Sequence, residues 1–223
     1  MLTFLHGFLG SPKDWLPLHL PGNFLTLPGH HGRPFDLSLL EKEIPHKTTL
    51  IGYSLGGRLA MLFAYHYPER IKSLIILSAN PGLENGKQQR VAWDEKWAHI
   101  LETKGMKTFC REWYKQPLFS SLHYAKLQER ENHDPKVLAQ VLRELSPAKL
   151  LSMWGKLHDF LFPMLFLFGE SDVKYRPIAK RLKSQFIVNI VPKCGHAIHI
   201  ENPIFCAQQI RDHMKRIEAK PTK

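Results

Sequence analysis

A serine stands between two glycines at residues 52–56, where the sequence reads GYSLG. The apolar stretch TTLIG overlaps its start, and a helical pattern, LGGRLAMLFAYHYPER, follows the serine. Glycines at these positions leave room for a sharp strand-to-helix turn that exposes a serine hydroxyl at the edge of a sheet. Such a hydroxyl reacts only when a histidine takes its proton and a carboxylate orients that histidine. The pattern around Ser54 therefore predicts an acidic residue and then a histidine later in the chain, each of them directly after a strand.

Both partners occur in the order that this chemistry requires. Asp172 follows the apolar stretch PMLFLF in the sequence GESD, with Glu170 as its nearest competitor. His196 follows FIVNIV in the sequence PKCGHAIHIENP, and His199 comes three residues later. We prefer His196 because it lies in the loop directly after a glycine, whereas His199 approaches the helix that ENP begins. We predict a triad of Ser54, Asp172 and His196.

An oxyanion hole would complete this machinery. Its donors are backbone N–H groups from the residue after the serine and from the loop after an early strand. The first apolar stretch, LTFLH, runs into His6-Gly7-Phe8. Phe8 and Leu55 are therefore the predicted donors, through their amides and not their side chains.

Six short apolar segments, separated by helical patterns, predict the sheet that positions these residues. Continuous apolar strands between helices are typical of a parallel sheet covered on both faces, so we predict an α/β fold. Residues 81–162 hold helical pattern, tryptophan and charge without a convincing strand, and we predict a helical lid inserted before the strand that bears the acid. Residues 1–80 and 163–223 would form the core. The predicted strands are 2–6, 23–27, 48–52, 73–78, 163–169 and 186–191.

Composition limits the classes of protein that remain. The formal charge of +11 and the pI near 9.6 permit anionic partners, but Lys and Arg are scattered and form no nucleic-acid motif. No apolar run is long enough to cross a membrane, and no signal peptide is visible. The three cysteines, Cys110, Cys194 and Cys206, lack metal-ligand spacing and suit reduced thiols. We predict a cytoplasmic protein without metal, cofactor, nucleic acid or membrane insertion.

Seven motifs along the chain carry a resemblance: LHGFLGSPKDW, LPGHHG, GYSLGGRLA, PGL, EWYKQPLF, GESDVKY and GHAIHIENP. Together they resemble the α/β-hydrolase superfamily and, within it, the 2-succinyl-6-hydroxy-2,4-cyclohexadiene-1-carboxylate synthases of menaquinone biosynthesis. The resemblance spans nearly the whole chain and implies the α/β-hydrolase fold. It also implies a carbon–oxygen lyase that eliminates pyruvate from an enolpyruvyl cyclohexene bearing several carboxylates, with Ser54 acting chiefly as a base.

A polycarboxylate substrate needs cationic partners. Arg58 lies four residues after Ser54 on the following helix, hence one turn along the same face, and its planar guanidinium suits carboxylates. For Arg90, Arg130 and Trp113 of the predicted lid, a purely structural role in an amphipathic helix is as open as contact with the substrate. The resemblance implies carboxylate contacts for Arg58, Arg90 and Arg130, and pocket-wall positions for Tyr53 and Trp113.

A second interpretation of the same triad is a serine carboxylesterase that acts covalently. Its substrate would be a small carboxyl ester, or an ester or thioester on an acidic carrier protein that a basic surface attracts. Against it, an arginine beside the serine would lose hydration without a compensating anion if the substrate were neutral. A catalytically silent binding module is disfavoured because the serine, acid and histidine set is complete. We therefore favour a small anionic substrate.

Overall fold

The computed structural model describes residues 1–122 and 128–219. Residues 123–127 of the predicted lid and 220–223 of the predicted core lie outside the described residues. Within the described part, six strands form one sheet in the order β2-β1-β3-β4-β5-β6, and every neighbouring pair is parallel. The strands are β1 (Leu2–Leu5), β2 (Asn23–Leu25), β3 (Thr48–Tyr53), β4 (Ile71–Leu77), β5 (Met164–Gly169) and β6 (Ile187–Val191).

Each observed strand matches a predicted apolar segment, with ends that differ by at most two residues, so the predicted α/β fold is confirmed. The register places Leu5 opposite Gly52, Tyr53 opposite Leu77, and Gly169 opposite Val191. Because the strands are parallel, the loops that follow β1, β3, β5 and β6 all leave the sheet at one edge. The residues predicted to do chemistry lie in these loops.

Helices cover both faces of the sheet, as apolar residues on alternating sides of each strand require. Leu74 and Ile76 of β4 pack in the cluster that includes Leu59, whereas Ile75 packs with Trp15 on the other face. A 3-10 helix, Pro12–Leu18, contributes Trp15 to that second face. The helices outside residues 81–162 are α1 (Ser38–Glu43), α2 (Leu55–His66), α5 (Arg176–Lys183), α6 (Ile198–Glu201) and α7 (Pro203–Glu218).

The chain between β4 and β5 is helical and lacks strands throughout its described residues. It contains α3 (Lys87–Trp113), α4 (Pro135–Glu144) and short 3-10 helices at Pro117–Phe119, Gln128–Glu131 and Leu157–Asp159. A kink divides α3 at Gly105, whose φ of 70° and ψ of 177° are open to glycine alone. The exact division of the chain into core and lid stays a prediction.

Candidate active site

Ser54 occupies a strained turn between β3 and α2. Its φ of 51° and ψ of −109° lie outside the regions that serine ordinarily adopts. The backbone packs so closely here that a Cβ atom at Gly56 would collide with the carbonyl of Leu5, and one at Gly52 would collide with the carbonyl of Gly56. The Ser54 amide donates to the Leu77 carbonyl at 2.9 Å, which ties the turn to β4. The turn therefore holds the serine hydroxyl at the carboxyl edge of the sheet.

The predicted triad residues meet at hydrogen-bond distance. His196 Nε2 lies 3.2 Å from Ser54 Oγ, and His196 Nδ1 lies 2.7 Å from Asp172 Oδ2. Asp172 and His196 are buried. A carboxylate beside Nδ1 selects the tautomer with its proton there, so Nε2 is left to accept the serine proton. This arrangement can generate a serine alkoxide that acts as a base or as a nucleophile.

The two competitors that the sequence offered lie elsewhere. Glu170 Oε2 accepts a hydrogen bond from the Lys193 amide at 2.9 Å. The buried ring of His199 lies between Trp15 and Tyr53, at centroid distances of 4.6 and 4.3 Å. Within the described residues, neither side chain is hydrogen-bonded to Ser54 or His196. The choice of Asp172 and His196 therefore agrees with the geometry.

Sequence reasoning missed Glu201, which supports the histidine loop. Its carboxylate accepts hydrogen bonds from the amides of Gly195 at 2.7 Å and Ala197 at 2.9 Å, the residues on either side of His196. The only signal was the ENP sequence at the start of the last helix, and the cap of that helix is Asn202. Glu201 thus fixes the loop that presents the imidazole.

The two predicted oxyanion donors lie beside Ser54 in one pocket. Leu55 is the first residue of α2, and an amide at that position has no acceptor within its helix. His6 fixes the loop that carries Phe8, since its Nδ1 donates to the Gly7 carbonyl at 2.8 Å and its Nε2 accepts from the Leu27 amide at 2.9 Å. Burial lowers the pKa of His6 well below 6.5, which keeps this neutral tautomer in place. The donor roles themselves stay predictions.

The pocket over Ser54 is roofed by the helical segment. Tyr53 and Trp113 line it as predicted, and the Trp113 ring packs 5.2 Å from the rings of Phe8 and Phe109. The other aromatic side chains of the wall are Trp93, Tyr114, Phe119 and Tyr175.

Two of the predicted arginines line the pocket in different charge environments. Among the described residues, Arg58 Nε has no hydrogen-bond partner, and burial lowers the pKa of Arg58 to about 10. Arg90 Nε donates to Asp94 Oδ2 at 2.8 Å, and its guanidinium lies 4.7 Å from the centre of the Trp93 ring. Arg58 is thus a half-buried cation, with a buried Nε atom and without a direct counterion in the described chain.

The third predicted arginine, Arg130, also lines the pocket but is already neutralised. Its two terminal nitrogens bind the two Asp14 oxygens at 2.6 and 2.8 Å, and one of them also donates to the Leu9 carbonyl at 2.7 Å. A further cation, Lys174, lines the same pocket and was not predicted. Its only sequence signal was its place two residues after Asp172 in GESDVKY.

No metal or membrane feature adds to this site in residues 1–122 and 128–219. Within these ranges, His, Cys, Asp and Glu side chains do not gather in groups of three that could hold a metal ion. No helix there is both long and apolar enough to cross a bilayer. Cys110, Cys194 and Cys206 are buried free thiols.

Comparison with known proteins agrees with this fold. The Alpha/beta hydrolase family matches residues 4–209. The chain is 33% identical to 2-succinyl-6-hydroxy-2,4-cyclohexadiene-1-carboxylate synthase of Klebsiella pneumoniae, over 94% of this chain and 92% of that protein. It is also 29% identical to Protein PHYLLO, chloroplastic, of Arabidopsis thaliana, but spans only 16% of that longer protein. The solved structure of MenH from S. aureus superposes with a TM-score of 0.88 at 27% identity, covering 97% of this chain and 94% of that one. The chain is therefore an enzyme of the alpha/beta hydrolase family and belongs, within it, with the 2-succinyl-6-hydroxy-2,4-cyclohexadiene-1-carboxylate synthases.

Proposed function

We propose that this enzyme is a carbon–oxygen lyase of menaquinone biosynthesis. It would convert 2-succinyl-5-enolpyruvyl-6-hydroxy-3-cyclohexene-1-carboxylate to 2-succinyl-6-hydroxy-2,4-cyclohexadiene-1-carboxylate and pyruvate. One observation carries the proposal: Ser54, at hydrogen-bond distance from the His196–Asp172 pair, lines a pocket that is also lined by the half-buried cation Arg58. A cation without a direct counterion suits a substrate that brings its own carboxylates. The names of the related synthases point to the same reaction.

The residues divide the reaction into proton transfer and charge stabilisation. His196 Nε2 takes the Ser54 proton, and Asp172 stabilises the imidazolium that results. The Ser54 oxygen removes the proton from ring carbon 2, and the C–H electron pair forms the double bond between carbons 2 and 3. The pair of the existing double bond between carbons 3 and 4 moves to carbons 4 and 5, and the bond from carbon 5 to the enolpyruvyl oxygen breaks. The leaving enolate takes up a proton and becomes pyruvate. The amides of Phe8 and Leu55 would stabilise negative charge on a substrate oxygen.

Binding of the substrate would depend on its carboxylates and its ring. Arg58 and Arg90 would bind carboxylates, while Tyr53 and Trp113 would pack against apolar parts of the substrate. Arg130 is less suited to direct binding because Asp14 already occupies both of its terminal nitrogens. Burial raises the pKa of Tyr53 well above 10, so its phenol stays neutral in the pocket.

The same triad geometry also suits a serine esterase, in which Ser54 attacks a carbonyl and forms an acyl-enzyme. Two assays on one preparation separate the two reactions. The first measures pyruvate release from the enolpyruvyl cyclohexene carboxylate, generated in place by the synthase that precedes this step. The second measures hydrolysis of a short nitrophenyl ester. Fast pyruvate release with poor ester hydrolysis is expected for the lyase.

Ser54→Ala serves as the matched variant in both assays. We expect it to lower pyruvate release by about a thousandfold or more, since the triad acts as one unit. Fast ester hydrolysis by the wild-type enzyme, with pyruvate release no higher than in Ser54→Ala, would overturn the lyase and leave the esterase.

A further inference from the structure

Lys174 lies at a junction between two pockets. It follows β5 in the loop that carries Asp172, and it lines the active-site pocket over Ser54. It also lines a second pocket between this loop and residues 116–121 of the helical segment. Gln116 and Leu118 are likewise common to both pockets. Lys174 therefore lies where the active-site pocket meets the second pocket.

The charges around Lys174 leave it without a counterion of its own. In the described part of the chain its exposed side chain makes no ion pair or side-chain hydrogen bond. The two carboxylates that act on its charge are engaged elsewhere: Asp172 with His196 at 2.7 Å, and Asp94 with Arg90 at 2.8 Å. Burial, together with repulsion from Arg90 and Arg58, lowers the pKa of Lys174. Lys174 is thus held near two other cations.

Cations that line one cavity repel each other, and Lys174 does so from the exposed side of this pocket. Such an arrangement is typical of a site that binds an anion. Arg130 shows the contrast within the same pocket, because its bidentate pair with Asp14 cancels its charge. Arg90 is likewise paired, with Asp94, so the uncompensated positive charge lies with Arg58 and Lys174.

We propose that Lys174 is a specificity-determining residue that binds a carboxylate of the substrate at the mouth of the active-site pocket. The identity of that substrate rests on the proposed function. The carboxylate would lie between Lys174 and the arginines Arg58 and Arg90, and it would relieve their mutual repulsion. A neutral substrate would gain nothing from this contact. Lys174 therefore favours substrates with a carboxylate that reaches the junction.

Steady-state pyruvate release tests this role in three variants. Lys174→Gln should raise KM about tenfold with kcat within about threefold, since a charged hydrogen bond to the substrate is lost. Lys174→Arg keeps the charge and should restore most of the affinity. Added NaCl should raise the KM of the wild type more steeply than that of Lys174→Gln. Salt screens the attraction between Lys174 and the substrate carboxylate, and the variant lacks this attraction. Lys180→Gln, an exposed change on α5, is the matched control and should alter neither constant.

A second measurement does not depend on turnover. A neutral phosphonate labels Ser54, and tricarballylate, a stable tricarboxylate, is added as a competitor. The labelling rate without competitor should be equal in wild type and Lys174→Gln, which shows that the triad is intact. Tricarballylate should protect the wild type at a concentration about tenfold lower than Lys174→Gln requires.

The two measurements separate failure of this inference from failure of the proposed function. If the wild type releases pyruvate, an unchanged KM and unchanged protection in Lys174→Gln overturn the role of Lys174 alone. If the wild type releases no pyruvate, the protection assay decides. Weaker protection of Lys174→Gln by tricarballylate would then support the carboxylate site, although the proposed lyase activity is rejected. Equal or absent protection in both proteins would overturn the carboxylate site as well.

Discussion

At the scale of single residues, the loop that carries His196 depends on one carboxylate. The Glu201 carboxylate accepts hydrogen bonds from the amides of Gly195 and Ala197 at 2.7 and 2.9 Å, with a different oxygen for each bond. Both sides of the catalytic loop are therefore tied to the short helix α6, in which Glu201 is the last residue. Glu201 reaches the serine only through His196, so it is a positioning residue.

We expect Glu201→Gln to slow the chemistry without weakening substrate binding. An amide side chain has one oxygen, so its NH₂ group would face one of the two backbone donors and that bond would be lost. The kcat for pyruvate release should fall about tenfold while KM stays within about twofold. Labelling of Ser54 by a neutral phosphonate should slow in parallel. Glu218→Gln, an exposed change on α7, is the control, and a labelling rate equal to that of the wild type would contradict the role of Glu201.

The triad could be predicted from the sequence because each member follows an apolar strand in a fixed order. Glu201 had no such signal, since a glutamate just before a helix is equally typical of a capped turn. The sequence signal for Lys174 was even weaker, because a lysine in a polar loop is usually solvated. Only the folded chain brings it into one pocket with Arg58 and Arg90, which lie far from it in sequence. Local patterns predicted the triad and Arg58, which is one helical turn from Ser54, but not the charge that a distant loop adds to the pocket.

At the scale of elements, two ion pairs join the same two 3-10 helices, Pro12–Leu18 of the core and Gln128–Glu131 of the helical segment. Arg130 and Asp14 form a bidentate pair whose side chains are only 9% and 11% exposed. Lys13 and Glu129 form the other pair, with both side chains 68% exposed. The two pairs therefore make the same connection at different depths.

We expect the buried pair to stabilise this connection far more than the exposed one. Arg130→Ala would leave the Asp14 carboxylate buried without its cation, and the free energy of unfolding should fall by about 3–5 kcal/mol. Lys13→Ala should change the same quantity by less than about 1 kcal/mol, because water already solvates both partners. Urea unfolding of the two variants measures the difference. Equal losses would mean that the Arg130 pair does not hold the helical segment to the core.

The strands could be predicted to within two residues because a buried parallel strand needs an unbroken apolar run. The helical character of residues 81–162 was equally visible, but the kink of α3 was not. A single glycine inside a helical pattern is tolerated, and only the backbone angles of Gly105 show that the helix turns there. The contact between Arg130 and Asp14 joins positions 116 residues apart, so no local pattern could predict it.

At the scale of the whole molecule, burial keeps several histidines neutral in the folded state. The pKa values of His6 and His199 lie well below 6.5, mainly because both rings are removed from water. Burial, together with nearby positive charge, also lowers the pKa of His30 to about 3 and those of His133 and His213 to about 4. His6, His30 and His133 form one cluster, with neighbouring ring centroids 5.0 and 5.5 Å apart, whereas His199 lies on α6 and His213 on α7. Their effect on stability therefore involves several parts of the fold.

We expect the free energy of unfolding to fall steeply below pH 6.5. In the unfolded chain each of these histidines takes up a proton near pH 6.5, whereas in the folded protein it does so only near its lowered pKa. The unfolded state therefore binds more protons, and stability present above pH 6.5 is lost as the pH falls toward 4. Each histidine should contribute a loss of about 1 kcal/mol between pH 7 and pH 5.5, and the five together about 5 kcal/mol.

Urea unfolding at pH 7 and pH 5.5 measures this loss, and one variant assigns it to buried rings. His213 lies on α7, and its Nε2 is 2.8 Å from Ser73 Oγ of β4. His213→Gln therefore keeps a polar group while it removes the titration. The difference between the two pH values should shrink by about 1 kcal/mol in this variant. His46→Gln, at an exposed position, should leave the difference unchanged. Removing a neutral ring that resists protonation must remove its share of the pH dependence. If the difference in the free energy of unfolding between the two pH values is equal in wild type and His213→Gln, the acid sensitivity lies in groups other than the buried histidines.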